Sequence, residues 1–123
     1  MNARETTRDW LRSYYAAIDQ LQLEELERFL HERCEIRYAT GGREVGRGRI
    51  IERTRQALGS LERIEHRLSG IWEEGDSVIF ELEVTYWRKD GSVVIRPGMG
   101  IFVRERGLIR EQRLFVNDAG VWR

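Results

Sequence analysis

A chain of 123 residues is the length of one ordinary domain, and 41% hydrophobic with 34% charged residues marks it as globular rather than disordered. Formal net charge is zero, and the basic residues, nearly all arginine, interleave with glutamates (Glu24, Glu25, Glu27, Arg28; Arg63, Glu65, Arg67). A nucleic-acid groove needs a one-signed positive field, so no nucleic-acid partner is expected. The opening MNARETTRDW has no apolar stretch, and no run approaches membrane length, so the expectation is one soluble cytoplasmic domain over residues 1–123 with no membrane contact. Cys34 is alone and reads as a small buried hydrophobe.

In chain order, Trp10, Leu11, Tyr14, Tyr15, Ile18 and Leu21 recur at helical spacing, with Thr6 or Thr7 as N-cap. Leu23, Leu26, Phe29 and Leu30 predict a second, short amphipathic helix. CEIRYAT then alternates, with Cys34, Ile36 and Tyr38 on one face, and predicts a short strand. Residues Gly41 to Gly48 hold four of the twelve glycines and read as turns. A third helix fits Arg49 to Leu58, stopped at Gly59. Period-two alternation follows in Leu61–Glu74, Ser77–Lys89, Val93–Glu105 and Leu108–Asn117, separated by hairpin turns at Glu74-Gly75-Asp76, Lys89-Asp90-Gly91 and Arg106-Gly107. Three helices and then a meander give an α+β class, with helices packed on one sheet face.

The face of the first long strand that carries Ile64, Leu68 and Trp72 also carries His66. On the other strands Phe80, Leu82, Phe102 and Leu114 point the same way, together with Arg96, Gln112, Gly98 and Gly100. An oily face with a few polar groups and missing side chains is how a lined pocket looks in sequence. These residues, with Trp10 from the first helix, are the expected ligand-binding wall. Gly98 and Gly100 leave room for a cavity. An inward Arg96 calls for a bound acid or a carboxylate partner; a bulge at Pro97 would instead send it to the rim.

The segments GREVGRGRII, EHRLSGIWEEGDSVIFELEVTYWRKDG and RGLIREQRLFVND resemble the SnoaL-like branch of the nuclear-transport-factor-2-like superfamily, over nearly the whole chain. The resemblance implies a curved, mostly antiparallel sheet wrapped on a long N-terminal helix, a cystatin-like cone with a pocket inside. Its members include ketosteroid isomerases, polyketide cyclases, limonene-epoxide hydrolases and scytalone dehydratases, and also domains that only bind or dimerise. Fold alone does not choose among these.

Position by position, the family's catalytic sets do not carry over. Tyr14 falls where the isomerases have an oxyanion-binding tyrosine, but their general-base aspartate corresponds to Tyr38 and their protonated aspartate to Gly100. The last-strand aspartate shared by cyclases and epoxide hydrolases corresponds to Leu114, with Asn117 in place of a second one. The hydrolases' middle-strand arginine and aspartate fall on Leu82 and Val84; a register placing them at Glu81 and Glu83 would turn Phe80, Leu82 and Val84 out of the core. His66 lies on the strand where scytalone-dehydratase-like members carry a histidine. The candidate catalytic set is thus His66 as proton carrier with Tyr14 and Tyr38 as oxygen binders. The same residues also read as a core-edge histidine and packed aromatic rings.

On the opposite face Val93, Ile95, Met99, Ile101 and Val103, joined by Ile71, Ile79, Trp87 and Phe115, form an apolar surface that predicts a homodimer through the outer sheet. The two histidines, His31 and His66, lie far apart, with His31 read as an exposed helix end, so no metal or other cofactor is expected. Two functions remain open. One is an acid–base enzyme (lyase, isomerase or cyclase) on a small apolar or weakly acidic molecule; the other is a non-catalytic binder or dimeric accessory protein.

Overall fold

The computed structural model describes residues 6–122. The chain runs α1 (Thr7–Asp19), a 3-10 helix (Leu23–Arg28), β1 (Leu30–Tyr38), β2 (Arg43–Val45), α2 (Arg47–Leu58), β3 (Leu61–Glu74), β4 (Ser77–Arg88), β5 (Val93–Glu105) and β6 (Leu108–Val116). The strands form one sheet in the order β2-β1-β6-β5-β4-β3. All neighbours are antiparallel except β1 and β6. The sheet is curved and unclosed, and the helices bury their apolar sides within it, as an α+β cone requires. No helix among the described residues is long and apolar enough to cross a membrane.

Thr6 caps α1, its hydroxyl accepting from the Asp9 N–H at 3.1 Å. The helix buries Trp10, Leu11, Tyr14, Tyr15, Ala17 and Ile18, but it ends before the periodicity does. Leu21, expected on the inner face, is 63% exposed and left-handed at φ 59°. The Leu21 N–H donates to the Ile18 carbonyl at 3.0 Å and the Gln22 N–H to the Ala17 carbonyl at 2.8 Å, the paired bonds of a Schellman stop. That position favours glycine, and a leucine there is strained.

Leu23 and Leu26 are buried as expected, but on a 3-10 turn, and Leu30 already belongs to β1. The strand starts earlier than CEIRYAT suggests because Leu30 pairs in parallel with Ile109, a contact that no local pattern encodes. His31 is therefore on a strand rather than at a helix end, with Nε2 3.0 Å from Glu105. The glycine-rich stretch also holds the short strand β2.

One irregularity reorganises the pocket side of the sheet. Leu68 pairs with Leu82, but Gly70 pairs with Glu81, so Ser69 is an extra residue in β3 and the side-chain parity flips there. Ile71, opposite Phe80, turns inward and packs on the core. Trp72, opposite Ile79, turns outward and is 53% exposed. Its ring lies over Gly70, where a Cβ would collide with it. The expectation that Trp72 lines the pocket fails for this reason.

The central glycines mark close packing rather than empty space. The Phe80 ring occupies the volume a side chain at Gly100 would need, and Val116 fills that beside Gly98. The β4–β5 register runs unbroken through Glu83–Pro97, so Pro97 makes no bulge. Pairing with β6 starts only at Gly98, which leaves Pro97 on a stretch that β6 does not reach. Leu82 and Val84 are buried while Glu81 and Glu83 are exposed, the register that core burial demands.

Replacing Leu21 with glycine is expected to stabilise the fold by about 1 kcal/mol, since only glycine occupies left-handed backbone without penalty. Guanidinium denaturation should show a raised midpoint at unchanged slope; no change would mean that the strain is relieved elsewhere.

Candidate active site

The cone encloses a cavity of about 600 Å³, of the size that holds a small organic ligand. All four tyrosines of the chain line it: Tyr14 and Tyr15 from α1, Tyr38 from the end of β1, and Tyr86 from β4. Between them the wall is apolar, with Ile18, Ile36, Ile50, Ile64, Leu82 and Val84. His66, Gln112 and Leu114 also line it, so Tyr14, Tyr38, His66, Leu82, Gln112 and Leu114 come together as a single site.

The other expected lining residues lie elsewhere. Trp10 is buried against Phe29, with ring centroids 6.3 Å apart. Phe80 and Phe102 pack edge-to-face at 4.9 Å in the fully buried core, over Gly100. Arg96 has inward parity opposite Val84, yet its guanidinium does not line the cavity; Nη1 donates to the Ile95 carbonyl at 3.2 Å. Outside the stretch beyond the Ser69 bulge, alternation marks which residues leave the solvent face, but not which of them touch empty volume.

His66 is where the chemistry concentrates. Its Nδ1 is 2.6 Å from Asp19 Oδ1, and its backbone N–H donates to Asp19 Oδ2 at 2.9 Å. A carboxylate can only accept, so Nδ1 carries a proton, and in the neutral ring Nε2 keeps the lone pair. Among the described residues Nε2 has no hydrogen-bond partner, and the imidazole lines the cavity. The Tyr15 ring stacks on the imidazole at 4.5 Å and 28°, so the ring is held on its face as well as at Nδ1. The result is an oriented histidine with a carboxylate behind it, the arrangement that makes an imidazole an effective general base.

Asp19 escapes the strand-based reading because it sits on α1, one turn after Tyr15. The signal was the Tyr15–Asp19 spacing of four residues, which places both on one helical face. A second cue is electrostatic: an acid in the last turn of a helix opposes the helix dipole, so it needs another reason to be there.

Tyr14 forms the other polar feature. Gln112, only 1% exposed, donates from Nε2 to the Tyr14 hydroxyl oxygen at 2.8 Å. With its oxygen engaged as acceptor, the Tyr14 O–H proton remains to be donated to a ligand. Burial raises the Tyr14 and Tyr15 phenols far above their ordinary value; Gln112 only partly offsets this for Tyr14. Burial also raises Tyr38, against the lowering effect of Arg53, and pushes Tyr86 up to about 12. All four phenols therefore stay neutral at physiological pH and serve as donors, not bases.

Arg53, Thr54 and Gln56 of α2 line the cavity too, as do Asp118 and Trp122 after β6. Asp118 and Trp122 belong to no regular element, which is why alternation does not find them. Among the described residues no three His, Cys, Asp or Glu side chains gather into a metal-ligand set. Cys34 is fully buried, and burial pushes its thiol up to about 12, so it is no nucleophile.

A six-stranded cone with an oriented histidine–carboxylate pair facing a tyrosine-lined cavity defines the class: an α+β cone of the nuclear-transport-factor-2-like fold. The SnoaL-like domain family matches residues 11–112, and the chain belongs to that family. Among solved structures it is similar to a protein of ketosteroid isomerase-like fold from Catenulispora acidiphila, solved in complex with trimethylamine. That match has 16% identity and a TM-score of 0.81, covering 89% of this chain and 86% of the other. An NTF2-like protein from Burkholderia pseudomallei matches at 14% identity and a TM-score of 0.81 over 90% of each chain. An LEH-like epoxide hydrolase from Mycobacterium tuberculosis matches at 17% identity and a TM-score of 0.77, over 87% of this chain and 79% of that one. At such identities the likeness establishes the fold alone. A search of curated proteins finds no match.

Replacing Asp19 with alanine should cost about 1–3 kcal/mol of stability, because the His66 N–H and Nδ1 both lose their partner in a half-buried place. Asp19→Asn, which can still accept the backbone bond, should cost less. Urea denaturation of the two variants checks the order; equal and negligible losses would mean the pair carries no structural weight.

Proposed function

We propose that this protein is an acid–base enzyme, a lyase, isomerase or cyclase, acting on a small, largely apolar molecule held in the cone. The observation that carries this reading is the 2.6 Å contact between His66 Nδ1 and Asp19, which leaves Nε2 free at the cavity wall. In this reading Nε2 takes a proton from a carbon or hydroxyl of the ligand, and Asp19 stabilises the imidazolium that forms. Tyr14, engaged by Gln112, donates its proton to the ligand oxygen on which negative charge develops. Tyr38 supplies a second neutral donor nearer the mouth. The proton held by His66 then returns to another atom of the ligand or to a leaving hydroxyl.

A non-catalytic binding role is the second reading. It is favoured by Tyr38, Gly100 and Leu114 standing where the related enzymes carry carboxylates. The two readings part on one experiment. Small cyclic ketones and phenols are screened for thermal stabilisation of the protein, and binders are followed by NMR in heavy water for exchange or turnover. An enzyme should show turnover that falls by about 10²–10⁴ in His66→Ala while affinity changes only a few-fold. Tyr14→Phe should lower the rate through loss of the donor. Binding without exchange or turnover in the wild type would leave the binder reading standing.

The outer sheet face supports a homodimer as part of the same proposal. Trp72, Val93, Ile95, Met99 and Phe115 are exposed together, with Ile79, Trp87, Ile101 and Val103 half-buried among them. An apolar surface of this continuity is rare on a monomer. Glu81 and Glu83 on β4 and the Glu111–Arg113 pair on β6 flank it with mixed charges. Sedimentation should give twice the chain mass, falling to the monomer in Ile95→Glu; a monomeric wild type at micromolar concentration ends the dimer proposal.

A further inference from the structure

The sheet does not reach equally far on every side of the cone. β4 and β5 stay paired as far as Trp87 and Val93, but the last pair between β5 and β6 is Gly98–Val116. Residues Val93–Pro97 of β5 therefore run on past the end of β6. Residues 117–122 turn back over this end instead of leaving the domain. Val121 is buried to 1% exposure in the core, and the Trp122 ring stands edge-on, at 5.4 Å, to Tyr86, the partner of Val94.

This segment is placed by side chains rather than by a ladder. Its described backbone donors stay within it, the Val121 N–H donating to the Asp118 carbonyl at 3.0 Å and the Ala119 N–H to Asn117 Oδ1 at 3.3 Å. Trp122 itself is fixed by its buried neighbour Val121, by Tyr86, and by Nε1 donating to Asp118 Oδ2 at 2.8 Å. It lines the cavity and yet is 39% exposed, so its ring stands between the cavity and solvent. Arg53 and Gln56 of α2 also line the cavity from exposed positions, and Arg53 is drawn to Glu44 at 3.4 Å. Long chains of that kind have many rotamers to choose from, whereas a tryptophan ring turns about two torsions only. Trp122 is the rigid part of this boundary.

Its place along the cone is given by β4. The inward residues run from Phe80 in the core through Leu82 and Val84, opposite His66, to Tyr86 beneath Trp122. Tyr14 lies at the core end, edge-on to Phe102 at 5.5 Å. The polar groups Tyr14 and His66 are thus set deeper than the indole, with an apolar stretch between.

We propose that Trp122 is a specificity-determining residue: its ring is an end wall of the cavity, and it sets the length of ligand that the cone accepts. The ligand class this assigns is a neutral molecule with its polar group at the inner end and a short apolar tail toward the indole. Longer tails meet the ring. The inference rests on the reading of the cone as a ligand pocket and holds whether or not His66 performs chemistry.

The test is calorimetric binding of a series of para-n-alkylphenols, from methyl to octyl. In the wild type each added methylene should tighten binding by roughly fourfold until the tail meets the wall, after which affinity stops rising. Trp122→Ala should move that limit to longer tails while short members bind within a few-fold of wild type. Trp122→Phe keeps a ring against Tyr86 without the bond to Asp118, and should hold the limit close to that of the wild type. Melting temperatures check that the variants stay folded, and Trp122→Leu serves where alanine does not. An unchanged limit in Trp122→Ala or Trp122→Leu, or wild-type affinity that climbs through the whole series, overturns the inference and leaves the pocket standing. A limit that lengthens as much in Trp122→Phe as in Trp122→Ala overturns it too, because the ring would then not be the wall. Failure of every phenol to bind overturns the pocket reading and the inference with it.

Discussion

The clasp between Asp19 and His66 is the constraint on which the site depends. It joins the C-terminal turn of α1 to β3, the last strand of the sheet. An edge strand has backbone groups with no neighbouring strand to receive them, and Asp19 takes one of these, the His66 N–H. The same carboxylate then fixes the ring of the same residue through Nδ1. A single side chain thereby secures strand position, ring orientation and tautomer. Holding an acid at a helix C-terminus costs about 0.3–1 kcal/mol against the helix dipole, and two hydrogen bonds offset it. Tyr15, one turn earlier on the same helix, completes the arrangement by stacking on the imidazole.

What was legible in the sequence was what local periodicity encodes. The long strands, the helical stripe of α1 and the inward parity of His66, Leu82, Gln112 and Leu114 all follow from side-chain alternation, because one face is buried and the other is not. The errors fall where a contact between distant segments overrides the local pattern. Trp72 faces outward because Ser69 is a supernumerary residue in β3, and nothing in LSGIW announces a bulge. Gly100 supports Phe80 rather than a void, a matter of which neighbour is large enough to fill the gap. Asp19 and Asp118 stayed hidden because each lies at the end of a regular element, where periodicity is weakest.

The inner and outer sides of the sheet solve different problems with the same strands. Inside, four phenols kept neutral by burial give a wall that donates hydrogen bonds without carrying charge. A cavity so lined presents neutral hydrogen-bond donors in an apolar wall, with the imidazole of His66, held by Asp19, at its side. Outside, β5 presents Val93, Ile95 and Met99 to solvent, a surface that cannot stabilise the monomer because nothing in the described chain covers it. The division explains how so short a chain combines a closed core with an apolar exterior.

The extra residue at Ser69 has a consequence beyond the side chains it redirects. β3 is fourteen residues long and lies at a free edge, a shape that invites strands of other molecules to add on. A bulge near its middle bends the strand and breaks the even spacing a templated partner would need. Glu62, Arg63, Glu65 and Arg67 charge the stretch before it, and Asp19 occupies the backbone donor at its centre. The strand that carries His66 is thus a long free edge open to strand addition, and the bulge and the Asp19 bond that shape its surroundings also keep that edge closed.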